Sequence, residues 1–169
     1  MPGRSTPLVN NEYYHIFNRG SDKRDVFLKP RDFSRFIQTL YYYQFSGPKP
    51  KFSMLSKDTR LAFKGSEESK LVEILCYCLM PNHCHFLVRQ VKEDGIAKFV
   101  SQLFNSYTKY FNTKYQRVGA LFQGVFKAVR IETDEQLVHV SRYIHLNPAV
   151  SQLDDNLINY PWSSLAEYL

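Results

Sequence analysis

LVEILCYCLMPNHCHFLVRQ, residues 71–90, reads as two strands joined by a tight turn, and the rest of the chain is organised around it. Residues 71–80 form a near-continuous apolar run, the pattern of a strand covered on both faces. Pro81-Asn82 supplies the turn, and residues 83–90 return as a second strand, giving a hairpin. Alternation along this second strand puts His83 and His85 on one side. Cys84, Phe86 and Val88 then face the other side, towards a core. Cβ atoms roughly 6–7 Å apart on one strand face let two imidazoles converge on a metal. The plainer reading is two exposed histidines near a turn. A zinc cluster of Cys76, Cys78, His83 and His85 across the hairpin is a further reading, although C-x-C inside an apolar run fits a core better than a zinc spacing.

Working outward, residues 1–12 read as a flexible tail and residues 13–169 as one domain. Residues 13–18 form a short aromatic strand stopped by Asn18-Arg19-Gly20. Pro30 opens a helix whose Phe33, Phe36, Ile37, Leu40 and Tyr41 recur at helical spacing, and Gly47-Pro48 ends it. Residues 47–70 lack an apolar period and read as a mobile, loop-like insertion with room for one short strand. A second long helix runs from Gly95 to about Tyr115, with Ile96, Phe99, Val100, Leu103, Phe104, Tyr107 and Phe111 as its stripe. Residues 125–132 alternate as a strand. Thr133 and Asp134 cap a final helix to Leu146, closed by Asn147-Pro148. The order strand, helix, strand, strand, helix, strand, helix predicts an α+β, ferredoxin-like fold: an antiparallel sheet with helices packed on it.

Composition narrows the function class. A chain of 169 residues with 44% hydrophobic content buries a core without staples, which excludes a disordered chain. Three clustered cysteines are not a disulfide framework. No apolar run has the length of a membrane span, and residues 1–14 have no signal-peptide character, so the expectation is a cytoplasmic protein without a membrane partner. A net charge of +6 with 12 Tyr and 13 Phe favours a nucleic-acid partner, because cations attract phosphates and aromatic faces stack unpaired bases.

On the final helix, Leu137, Val140 and Ile144 form the core stripe, and His139, Tyr143 and Asn147 lie along its flank. Tyr143 is there either a boundary core residue or a nucleophile facing the sheet near the histidines. Asn147, one turn on, then offers an oxygen ligand.

Four blocks in order, YHIFNRG (14–20), YCLMPNHCHFLVRQ (77–90), LFQGVFKAVRI (121–131) and YIHLNP (143–148), resemble the single-tyrosine HUH transposases, above all the REP-associated tyrosine transposases. The resemblance spans residues 13–168, and the MPNHxH and YIHLNP blocks together are specific. It implies that His83 and His85 are the metal pair, with Cys84 in the hydrophobic middle position, that Asn147 completes the site, and that Tyr143 is the nucleophile. It further implies a Mg²⁺ or Mn²⁺ cofactor, a 5′-phosphotyrosine intermediate, and hairpin-containing or single-stranded DNA as partner, with a homodimer compatible. Arg19, Lys23, Arg24, Lys109, Lys114, Arg117, Lys127 and Arg130 are the candidate DNA-binding cations, provided their loops converge on the histidine face. His139 and His145 are candidate bases by proximity alone. The alternative is a domesticated, non-catalytic hairpin-DNA-binding relative. The end of the chain soon after PWSS (161–164) is compatible with a missing C-terminal extension.

Overall fold

A computed structural model describes residues 6–169. Of the expected tail, residues 1–5 lie outside the described residues. The part that is described is tied to the sheet: Tyr14 Oη donates to Pro7 O (3.0 Å), Val9 N donates to Tyr14 Oη (2.8 Å), and Gln90 Nε2 donates to Leu8 O (3.2 Å).

The strands are β1 (Tyr13–Arg19), β2 (Val72–Met80), β3 (His83–Gln90) and β4 (Lys127–Ile131). The longer helices are α1 (Pro30–Tyr43), α3 (Gly95–Lys114) and α4 (Asp134–Val150), with a short α2 (Lys57–Ala62) between α1 and β2. The sheet order is β2-β3-β1-β4, and every pairing is antiparallel. This is the split β-α-β arrangement of the ferredoxin-like fold, as the element order predicts. Pro81-Asn82 joins β2 to β3 with Met80 opposite His83, so the hairpin turn has two residues.

Helices cover both faces of the sheet. Tyr14, Ile16, Cys84, Phe86, Val88, Tyr77 and Leu79 meet α1 and α3 in the main core, with Phe36, Leu40, Phe99, Leu103 and Tyr107 from the helices. Cys76, Cys78, Met80 and Leu87 face α4 with Ile144 and Tyr160. The apolar run of β2 is therefore explained by burial on two sides. Cys76 and Cys78 are packed as apolar side chains in the cluster facing α4, and burial pushes both thiols up to about 12. Among the described residues, no group of three or more His, Cys, Asp or Glu is placed to hold a metal ion.

Two glycines are fixed by close approach. A Cβ on Gly95 would lie 2.3 Å from the Leu71 carbonyl oxygen, so only glycine lets α3 begin against that backbone. A Cβ on Gly20 would lie 2.2 Å from Arg24 O, so a glycine lets the turn at Ser21–Lys23 fold back against the end of β1.

Three stretches differ from the sequence reading. Residues 47–70 carry no strand element. They hold 3₁₀ turns at Phe52–Met54 and Glu67–Ser69 around α2, with Phe52 buried beside Tyr42. The last helix runs through Asn147-Pro148 to Val150. A proline this near the C-terminus forfeits one bond to the carbonyl four residues back, and Ser151 N still closes on Asn147 O (3.0 Å). Finally, residues 162–164 run along the free edge of β2: Leu79 N donates to Trp162 O (2.8 Å) and Ser164 N to Tyr77 O (3.0 Å). That strip covers an edge that would otherwise invite pairing with another chain. No helix among the described residues is long and apolar enough to cross a membrane.

Candidate active site

The two central strands set one face of the site. Register pairs His15 with Leu87, Phe17 with His85 and Arg19 with His83, so these residues share the face that α4 covers. His83 and His85 stand side by side there, ring centroids 5.1 Å apart and nearly perpendicular. His83 Nδ1 lies 2.6 Å from Asn82 Oδ1. A carbonyl oxygen only accepts, so His83 carries its proton on Nδ1 and leaves Nε2 as the free lone pair. Asn82 is held in this orientation by its Nδ2, which donates to Lys23 O (3.3 Å).

His85 is buried and has its own partner. Its Nδ1 lies 2.9 Å from His15 Nε2, and the two rings stack at 5.1 Å. His15 is buried as well. Desolvation holds His15 down to about 4 and His85 down to about 3, and the charges of His15, His83 and Arg19 add to the shift at His85. His83 is lowered too, by burial and then by Arg19, against the opposing effect of a hydrogen bond to the Asn147 side chain, whose Oδ1 would accept from the charged ring. All three imidazoles are therefore neutral at pH 7, the form that ligates metals.

Helix α4 brings the other half. Thr133 Oγ1 caps it by accepting from Gln136 N (3.1 Å), and Leu137, Val140 and Ile144 pack on the sheet. That docking sets Tyr143 edge-on to His85 (5.7 Å) and to His15 (5.9 Å). Tyr143 remains 47% exposed, which a ligand-facing phenol requires and a core tyrosine does not. One turn later the buried Asn147 donates from Nδ2 to Tyr143 O (2.9 Å), which leaves Oδ1 turned to the His83 side.

The eight candidate cations do not converge. Arg19 and Lys127 share the histidine face, the latter 6.0 Å over the Phe17 ring. Lys23 and Arg24 lie in the turn beside Asn82. Arg117 braces the α3–β4 connection through Asn112 Oδ1 (2.7 Å) and Ala120 O (3.1 Å). That connection docks on the end of β1 through Ser21 N to Leu121 O and Gln123 N to Arg19 O. Lys109 and Lys114 sit on α3, beyond the opposite face, and Lys114 is bound to the buried Asp32 (2.6 Å). Arg130 alternates onto that opposite face as well and pairs with Glu12 (3.2 Å). Neither candidate base hydrogen-bonds to Tyr143: His145 is committed to Ser164 Oγ (3.0 Å), and His139 sits with Asp134, Val138 and Arg142 along α4. His15 is the residue the sequence reading passed over. Its only signal was its place in the YHIFNRG block, one strand away from a partner that register alone identifies.

A family model described as "Transposase IS200 like" matches residues 49–147, a stretch that holds His83, His85, Tyr143 and Asn147. No curated protein matches the sequence. Among solved structures, the chain is similar to a REP-associated tyrosine transposase bound to a REP hairpin, with TM-score 0.68 and 13% identity over 99% of this chain and 84% of that one. It is also similar to a candidate transposase from Deinococcus radiodurans R1, with TM-score 0.47 and 14% identity over 85% of this chain and 95% of that one.

Proposed function

This chain belongs to the IS200-like transposase family, and from that premise we propose that it cuts and rejoins single-stranded DNA beside a hairpin, with Tyr143 as nucleophile. The observation that carries this reading is the meeting of Tyr143 and Asn147, on α4, with His83 and His85, on β3, at one half-open site. A tyrosine packed for the core alone would be covered, whereas Tyr143 stays half-exposed while edge-on to His85 and His15.

In the proposed step, Tyr143 Oη forms a bond to phosphorus as the bond from phosphorus to the 3′ oxygen breaks. The phenol gives up its proton, the leaving oxygen gains one, and the products are a 5′-phosphotyrosine and a free 3′-hydroxyl. The phosphodiester is exchanged for another ester, so rejoining needs no nucleotide cofactor. The donor set fits a divalent ion: His83 Nε2, His85 Nε2 and Asn147 Oδ1 would hold Mg²⁺ or Mn²⁺, which would polarise a phosphoryl oxygen and orient the scissile phosphate. His85 can offer Nε2 only with its proton on Nδ1, where His15 Nε2 accepts it; His15 thus sets the tautomer. Arg19, on the same face, is available to the phosphate, and the partly exposed Tyr143 is reachable by an unpaired strand. Hairpin-containing DNA is the proposed partner, supported by the REP hairpin bound to the neighbour of like fold.

The test is Tyr143→Phe, which removes one oxygen and keeps the ring. With hairpin DNA and Mn²⁺, the variant is expected to bind within about twofold of the parent and to form no covalent adduct. Cleavage that persists in the variant would leave Tyr143 a packing residue and move the nucleophile elsewhere.

A further inference from the structure

One aromatic ring on the catalytic face is used by neither apolar core. Phe17 alternates along β1 with His15 and Arg19 onto the side of the sheet that α4 covers. Helix α4 covers only part of that side. Tyr13 and its partner Ile131 pack beneath it. One pair further along, Val129 opposite His15 is half-exposed, and the next pair, Phe17 opposite Lys127, joins neither core. Phe17 stays partly exposed beside the exposed cations Arg19 and Lys127. The neighbours of its ring are polar: His15 at 4.9 Å, His85 at 5.9 Å and Lys127 Nζ at 6.0 Å, the outer limit of a cation–π contact. A phenyl ring set among two imidazoles and a cation, with part of its surface in water, gains less from burial than a core phenylalanine does.

Its place matters because of what lies next to it. Tyr143 stands edge-on to the same His15 and His85 rings that Phe17 touches. From His85 to Phe17 is less than two stacked base steps of about 3.4 Å each. A nucleotide whose phosphate lies at the histidines therefore brings its own base, or its neighbour's, to this ring. Unpaired bases stack on aromatic faces whatever their identity, while nearby cations hold the phosphates between them. Phe17, Arg19 and Lys127 supply both parts on one bare strip of sheet. We propose that Phe17 is the stacking platform for an unpaired base next to the scissile phosphate, with Arg19 and Lys127 meeting the phosphates of the same strand. The inference rests on the single-strand reading above and adds the side chain that positions that strand. Stacking fixes where the strand lies without reading its sequence.

The experiment uses the full chain in EDTA, so that binding is read without cleavage. Fluorescence anisotropy compares a hairpin carrying oligothymidine on both sides with the same hairpin carrying abasic flanks. Phe17→Leu, after circular dichroism has shown the fold intact, should weaken binding of the thymidine probe about 5-fold or more, the lower value of one base–aromatic stack. Its affinity for the abasic probe should not change. Phe17→Trp, which keeps a platform, should bind the thymidine probe as the parent does. Undiminished affinity of Phe17→Leu for the thymidine probe overturns the proposal. So does an equal loss on both probes, which would make Phe17 a packing partner of the histidines. A parent chain that does not distinguish the two probes overturns it as well. Irradiation of the parent with 5-iodouracil in the flanks needs no variant: the crosslink should fall on Phe17, and one confined to other residues overturns the platform. Adduct formation with Mn²⁺ is scored separately. Adducts without a stacking loss remove the platform and keep Tyr143, and a stacking loss without adducts does the reverse.

Discussion

Strand and helix periods place His83 with His85 and Tyr143 with Asn147 on shared faces, and it was the family resemblance that singled the four out as a site. His15 was not legible, since nothing in a single strand reveals which residue of another strand lies opposite. Its contact with His85 gives a specific expectation. His15→Phe removes the acceptor at 2.9 Å and frees the His85 proton to move to Nε2. Mn²⁺ affinity measured by calorimetry should fall about 10-fold or more, the usual cost of losing a partner behind a ligating histidine. His15→Gln, which keeps an acceptor, should recover part of it. Nitrogen NMR of the metal-free proteins should show the His85 tautomer change in the Phe variant only; unchanged affinity and tautomer would remove His15 from the site. The same burial sets a pH dependence. His15 and His85 are lowered to about 4 and about 3 from 6.5, so from pH 6.5 down to about 3 the unfolded chain binds protons that the fold excludes. Stability must therefore fall with pH across that window. Melting temperatures in EDTA should drop between pH 7 and pH 4, and less steeply in the His15→Gln, His85→Gln double variant. A flat profile would contradict the burial argument.

At the level of elements, the boundaries were harder to read than the faces. Asn147-Pro148 is a stop signal by local rules, yet α4 passes through it because the lost bond falls near the helix end. Residues 47–70 have no period because separate anchors, Phe52 and Phe63, each pack on the Tyr42 ring of α1, and not along a stripe. The joint between α1 and α3 is a polar feature that no pattern announces. Burial pushes the Asp32 carboxyl up, but hydrogen bonds from Lys114, Tyr115, Tyr110 and Leu28 outweigh it and hold the group below its ordinary value. Its oxygens accept from Leu28 N (3.0 Å), Lys29 N (3.0 Å), Tyr110 Oη (2.9 Å), Tyr115 Oη (2.7 Å) and Lys114 Nζ (2.6 Å). Asp32→Ala orphans several of these donors at once and should cost about 3–5 kcal/mol in urea unfolding, with the loss spread over the α1–α3 contact. A cost under about 1 kcal/mol would show the network to be incidental.

Across the whole molecule, the sheet separates two kinds of work. The α4 side carries the neutral histidines and the exposed phenol, and the α3 side carries a groove lined by Arg35, Lys51, Lys98 and Lys109. Topology of this kind was recoverable from the order of elements, because a β-α-β-β-α-β chain closes into few antiparallel sheets. The distribution of charge was not, since it depends on which loop folds over which helix. Lys109 and Arg19, equal candidates by composition, end on opposite sides. The central claim is that one of those sides makes a covalent bond to DNA through a single tyrosine. It is tested most directly by incubating the parent chain with hairpin-flanked single-stranded DNA and Mn²⁺, digesting the product, and locating the attached nucleotide by mass spectrometry. The account predicts a 5′-linked nucleotide on Tyr143 and on no other tyrosine, absent when EDTA replaces the metal. A nucleotide on a different side chain, or cleaved DNA with no protein-linked product, would contradict it.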